Sequence, residues 1–125
     1  MNQLPILRRA VAAVLAKKAA DPVVLETGRL TPIADFFLIC TGQTAVHVRA
    51  IADHLQDEMA LAGLNLLRKE GAGDARWVLL DYGWLVVHLM QPRERDFYQL
   101  ERLWHDAGRL DLDLDAEAAG GRVSP

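Results

Sequence analysis

The 125-residue chain predicts a single α/β domain built on a mixed β-sheet of about five strands flanked by helices. Three observations predict it. Apolar residues recur at helical spacing near both ends and in the middle of the chain. Short β-branched or continuously apolar runs lie between those stretches, punctuated by turn residues. The order that results, α-β-β-α-β-β-β-α, contains a strand, a helix and a return strand in succession, as a crossover unit requires.

Leu4, Leu7, Val11, Val14 and Leu15 form the first helical stripe, with Arg8, Arg9, Lys17 and Lys18 off it. That helix ends before Asp21-Pro22. VVLE at 23–26 reads as a short strand, and Gly28 and Pro32 bracket a loop. ADFFLICTG at 34–42 is apolar on both faces, as a central strand is. Thr44 is placed to cap the next helix, whose stripe is Val48, Ile51, Ala52, Leu55, Met59 and Ala62 and which Gly63 terminates. NLLRK at 65–69 is the return strand and GAGD at 71–74 a turn. Trp77–Tyr82 and Leu85–Met90 are each one strand long, and Gly83 supplies the positive φ of a hairpin turn between them. Alternation sends Trp77, Leu79 and Asp81 to one face and Val78, Leu80 and Tyr82 to the other. Gln91-Pro92 opens a final helix with Phe97, Leu100, Leu103, Trp104 and Ala107 as its buried stripe and Gly108 at its end. Residues 1–108 thus make the domain. Residues 109–125, RLDLDLDAEAAGGRVSP, make an acidic tail, disordered beyond Asp115, with an edge strand in RLDLDLD as the alternative.

Hydrophobic residues are 51% of the chain and charged residues 25%, enough to bury a core without a disulfide or a metal. Cys40 is the only cysteine, which rules out an intrachain disulfide and a zinc site built on paired thiolates. No run approaches the roughly eighteen apolar residues of a membrane span. The basic segment LRRAVAAVLAKKA has too short an apolar stretch for a signal sequence and lacks the serine of a mitochondrial presequence. It reads as a folded helix, and the expected location is the cytosol. The net charge of −3 disfavours a direct grip on nucleic-acid backbone and suits a basic protein partner.

Few catalytic parts are present. Ser124 is the only serine, so the folded body has no serine nucleophile. Cys40, in the middle of an apolar strand, reads as an inert core thiol. His47 and His54 share a helix face but stand too far apart for an i, i+4 metal pair. Asp111, Asp113 and Asp115 begin like a calcium loop, but Ala116 and Arg122 occupy the positions that need glycine and glutamate. TGQT at 41–44 lacks the glycine spacing of a phosphate-binding loop. A nucleotidyltransferase needs a Gly-Ser loop and paired carboxylates on strands, and the folded body offers neither. No catalytic residue, metal or cofactor is therefore expected. What remains is a set of acids and aromatics at strand ends: Asp35, Asp81, Tyr82 and Tyr98, with Trp77 and Trp84. These are interface-forming residue types. Trp77 as plain core and Tyr98 as a cover for the sheet are the competing readings, and His88 reads as a hydrogen-bonded structural histidine.

ADFFLICTG, then His47 and AIAD at 50–53, then WVLLDYG, VVH, and FYQLERLW at 97–104, in that order and spacing, resemble the ribosomal silencing factor family RsfS, also called the Iojap or YbeB family. The resemblance runs over residues 5–107. It implies a nucleotidyltransferase-like fold without that enzyme's chemistry, and binding to ribosomal protein L-fourteen on the large ribosomal subunit. It further implies a steric block on small-subunit joining, repression of translation under nutrient limitation, and a homodimer. Organellar relatives imply an alternative role in large-subunit assembly, and a nucleotide-binding enzyme of similar fold is the third possibility. Asp35, His47, Trp77, Asp81, Tyr82, His88 and Tyr98 fall on the family's characteristic positions. Trp77, Asp81 and Tyr82 are the expected partner face, with His88 beside or supporting them. Val46 and Trp84 depart from the family pattern, where polar or basic and small or acidic residues are common.

Overall fold

The computed structural model describes residues 3–112. Helix α1 (Gln3–Ala16) is followed by β1 (Ala20–Glu26) and β2 (Phe36–Thr41), then helix α2 (Ala45–Leu61). Strands β3 (Arg68–Glu70), β4 (Trp77–Asp81) and β5 (Leu85–Met90) come next, then two short helices, α3 (Pro92–Tyr98) and α4 (Leu100–Leu103), and finally β6 (Gly108–Arg109). One six-stranded sheet has the order β3-β4-β5-β2-β1-β6. Among the described residues only β2 and β5 pair in parallel; every other pair of neighbouring strands is antiparallel. The expected mixed sheet is present, with six strands where about five were predicted; the two-residue β6 is the addition.

The sheet separates two cores. On one face, Val24, Leu38, Cys40, Val78, Leu80, Val87 and Leu89 pack with Leu7, Val11 and Val14 of α1 and with Val48, Ile51, Leu55 and Met59 of α2. On the other, a smaller cluster of Leu25, Phe37, Ile39, Val86 and Met90 meets Leu100 and Ala107. Strand β5 is buried at all six positions because it is central and covered on both sides.

Local chemistry explains most elements. Thr44 caps α2, its hydroxyl accepting the His47 N–H at 3.1 Å. The β4–β5 hairpin turns at Gly83, whose φ of 91° lies in the left-handed region, and the Asp81 carboxylate accepts the Gly83 N–H at 2.8 Å. Asp21 and Pro22 fall at an irregularity in β1, where the register with β2 shifts between Ala20 and Val23, so the strand starts earlier than VVLE.

Three expectations need correction. The return strand begins three residues late, at Arg68. It is parallel to β2 through the pairing chain but lies at the sheet edge, with β4 and β5 between them. Propensity alone does not fix strand ends, and the Leu67 N–H bond to the Asp81 carbonyl at 2.8 Å sets the register here. The last helix is not continuous. Gln99 adopts φ 47°, ψ 58° and divides it, so the single stripe drawn through Phe97, Leu100, Leu103, Trp104 and Ala107 breaks phase. Leu100 and Ala107 are buried, whereas Phe97 is 76% and Leu103 69% exposed. Gly108 ends no helix; it pairs with Glu26 in β6, and the Leu110 N–H reaches the Val24 carbonyl at 2.9 Å. Leu112 is buried in the helix-side core. The first residues of RLDLDLD therefore join the sheet, and the reading of the tail beyond residue 112 falls outside the described residues. No helix among those described is long and apolar enough to cross a membrane.

Candidate functional site

Strand alternation assembles the site. Trp77, Leu79 and Asp81 of β4 lie on the same face as Val86, His88 and Met90 of β5, with Leu79 opposite His88 and Trp77 opposite Met90. This is the face turned away from α1 and α2. Helix α4 covers its β2 side, where Trp104 meets Phe37 edge-on at 5.4 Å. The β4 side is left half open, and Trp77, Leu79 and Asp81 are each only partly buried.

Trp77 is locked from below and lined from the side. Its indole Nε1–H donates to His88 Nδ1 at 3.1 Å, and its ring stands 4.8 Å from Tyr98. Because Nδ1 accepts, the proton of neutral His88 sits on Nε2, which is buried without a partner among the described residues. The imidazole is 6% exposed and meets Phe37 at 4.9 Å. Burial pulls its pKa down to about 4, so at neutral pH it is an uncharged acceptor. Beyond Trp77, Tyr98 is 50% exposed and contacts Phe97 edge-on at 4.9 Å. A concavity of about 380 Å³ opens here, lined by Trp77, Phe97, Tyr98, Arg76, Arg93 and Glu94. Tilted and edge-on aromatic contacts of this kind keep rings in place while leaving their faces accessible.

Of the residues expected at the site, the structure brings Trp77, His88 and Tyr98 together. Asp81 shares their face but lies four residues along the strand, about 13 Å away. There it holds the Gly83 turn and sits 3.6 Å from the edge-strand Arg68. Tyr82 points the other way into the helix-side core and is 6% exposed, so its side chain offers a partner little surface; burial pushes its phenol up to about 12. Asp35 is exposed at the foot of β2, where its carboxylate accepts from Gln3 Nε2 at 3.0 Å and its N–H reaches the Trp84 carbonyl at 2.9 Å.

His47 knits two helices. Its Nδ1 accepts the Gln43 N–H at 2.9 Å, which leaves Nε2–H to donate to the Lys17 carbonyl at 2.7 Å. His47→Ala is expected to lower stability by about 1.5 kcal/mol, through the loss of two partly solvated bonds, and to leave partner affinity unchanged. Urea midpoints test the first statement and partner titration the second.

Phe97, expected in the core, instead stands exposed beside Tyr98 at the edge of this face. One signal was available: PRERD, at the start of the last helix, contains no apolar residue after its proline, so its first turn has nothing to bury. Cys40 is fully buried and its thiol is pushed up to about 12 by that burial, against a smaller opposing pull from Arg95. It stays protonated and unreactive. No cluster of three metal-ligating side chains occurs among the described residues.

Fold and site together define a class: a small α/β domain with a mixed sheet, one face sealed by two helices and the other carrying a half-open aromatic surface. A family model described as "Ribosomal silencing factor during starvation" matches residues 2–124. The chain belongs to the ribosomal silencing factor family. A Bacillus subtilis relative named "Ribosomal silencing factor RsfS" is 43% identical over 114 residues, which is 91% of this chain and 97% of that one. A solved crystal structure of a Chromobacterium violaceum protein superposes with a TM-score of 0.81 at 34% identity, covering 84% of this chain and 88% of the other. A mouse relative named "Mitochondrial assembly of ribosomal large subunit protein 1" is 28% identical over 97 residues, 75% of this chain but 42% of that protein.

Proposed function

We propose that this protein is a cytoplasmic silencing factor that docks on ribosomal protein L-fourteen of the large subunit through the Trp77 face. There it sterically blocks small-subunit joining and represses translation under nutrient limitation. The observation that carries the reading is the half-open face on which Trp77, held by His88 and lined by Tyr98, lies beside exposed Phe97. Exposed clustered aromatics are what hot spots are made of. A wedge needs no catalytic group, only an area of about 800 Å² per partner placed where another subunit must dock. The net charge of −3 suits a basic partner. On this reading Trp77, Tyr98 and Asp81 contact the partner, His88 supports Trp77, and Tyr82, His47 and Asp35 maintain the fold.

A pull-down with isolated L-fourteen, followed by titration onto large subunits, tests it. Trp77→Ala should weaken binding by about 2 kcal/mol, roughly thirtyfold. Wild-type protein that neither captures L-fourteen nor reduces joined ribosomes in a gradient would end the proposal. Stabilisation by ATP or CTP with magnesium in a thermal shift would instead favour a nucleotide-binding enzyme. The homodimer belongs to the same proposal and is read by sedimentation velocity. The name of the mouse relative favours one second reading, a large-subunit assembly factor that uses the same face. Depletion followed by analysis of precursor particles separates the two roles.

A further inference from the structure

Helix α3 is seven residues long and buries no apolar side chain against the sheet. Most helical stability in proteins comes from packing an apolar face, so α3 by itself has little to hold it in place. Yet it carries Phe97 and Tyr98, the two most exposed rings of the aromatic surface. Its anchor is Arg95. The guanidinium side chain is 12% exposed and reaches in three directions. Nη2 and Nε meet the Glu101 carboxylate at 2.7 and 3.4 Å, while Nη1 donates to Thr41 Oγ1 at 3.0 Å and to the Ala20 carbonyl at 3.4 Å. One side chain thereby joins α3 to α4, to the end of β2 and to the start of β1.

The Glu101 contact spans the corner at Gln99, whose φ of 47° lies in the left-handed region and carries a backbone cost for a residue with a side chain. A two-point fork between guanidinium and carboxylate fixes direction as well as distance. Burial tends to raise the Glu101 pKa, but the Arg95 hydrogen bond and charge, with a backbone hydrogen bond and the charge of Arg109, together hold the carboxyl below its usual range. A helix running straight through Gln99 would put Phe97 and Leu100 on one stripe, three residues apart. The corner separates them: Leu100 packs on the sheet and Phe97 stays outside.

We propose that Arg95 is a positioning residue of the partner surface: clamped to Glu101, Thr41 and the Ala20 carbonyl, it holds the Gln99 corner that turns Phe97 and Tyr98 outward beside Trp77, to dock a basic ribosomal protein. The proposal rests on the reading of the Trp77 face as the docking surface. The chain has two tyrosines, Tyr82 in the core and Tyr98 on the surface, so fluorotyrosine labelling places one reporter of the fold and one of the corner in the same molecule.

The experiment records fluorine spectra and large-subunit affinities for wild type, Arg95→Lys, Glu101→Gln, the charge-swapped pair Arg95→Glu with Glu101→Arg, and Trp77→Ala. Arg95→Lys and Glu101→Gln should each move the Tyr98 resonance, leave the Tyr82 resonance in place and weaken binding about tenfold. The swapped pair should recover part of both. An unmoved Tyr98 resonance, or full affinity in both single variants while Trp77→Ala binds weakly, overturns the role of Arg95 and leaves the docking face standing. Movement of both resonances assigns Arg95 to general stability and also overturns it. Absence of wild-type binding removes the docking face, and this proposal with it.

Discussion

Gly71→Ala should lower the stability of the domain by about 3 kcal/mol, a large part of what a domain of this size has. Gly71 has a φ of 82°, where any side chain is strained, and a β-carbon added there would overlap the carbonyl oxygen of Trp77. That oxygen is backbone, and relief requires the start of β4 to shift. Trp77 pairs with Met90 across β4 and β5, so the displacement would reach the aromatic face as well. Gly63→Ala is the control. Its φ of 87° is equally left-handed, but none of the described residues lies within 4 Å of the added carbon, so it should cost only about 1 kcal/mol of conformational strain. Urea unfolding of both variants measures the difference. Equal midpoints would mean that the close approach of Gly71 to Trp77 is not maintained in solution.

The second large effect is a pH dependence seated at His88. The imidazole titrates near 6.5 in an unfolded chain and near 4 in the folded one, because burial penalises its cation. Between those values the unfolded chain takes up a proton that the folded chain refuses. The stability His88 contributes as a neutral group is therefore whole above pH 6.5 and is lost as the pH falls from there to about 4. The loss amounts to about 3 kcal/mol, from a shift of about 2.5 units at 1.36 kcal/mol each. Carboxylates, Glu101 among them, also lose stabilisation in acid, so the informative quantity is a difference. Wild type should lose about 3 kcal/mol more than His88→Gln between pH 7 and pH 4. The glutamine carbonyl can still accept the Trp77 indole proton but does not titrate. Parallel pH curves for the two proteins would show that His88 is not buried as a neutral acceptor.

How much of this was legible beforehand differs by element. The α2 cap at Thr44, the Gly83 turn and the division of Trp77, Leu79 and Asp81 from Val78, Leu80 and Tyr82 follow from short-range chemistry, and the structure has all three. Grouping Tyr82 with Trp77 and Asp81 as one partner face conflicted with that same alternation, which places the phenol among the helix-side core residues. The last helix departs from its expected course for a different reason. Periodicity assumes a continuous rod, and nothing in DFYQLERLW marks Gln99 as left-handed. The side chain that spans this corner, Arg95, meets Thr41 and Ala20, residues 54 and 75 positions away.

By itself, then, the chain determined its class, its first two helices and its hairpin, and the residues of its family motifs, because hydrophobic period, caps and turn glycines act over a few residues. Only the tertiary structure decided that β2 lies parallel beside β5, that His88 lies buried beneath Trp77 as its hydrogen-bond acceptor, and that Phe97 and Tyr98 face outward. Each of those depends on contacts between distant segments, whose geometry exists only once the sheet has closed around them.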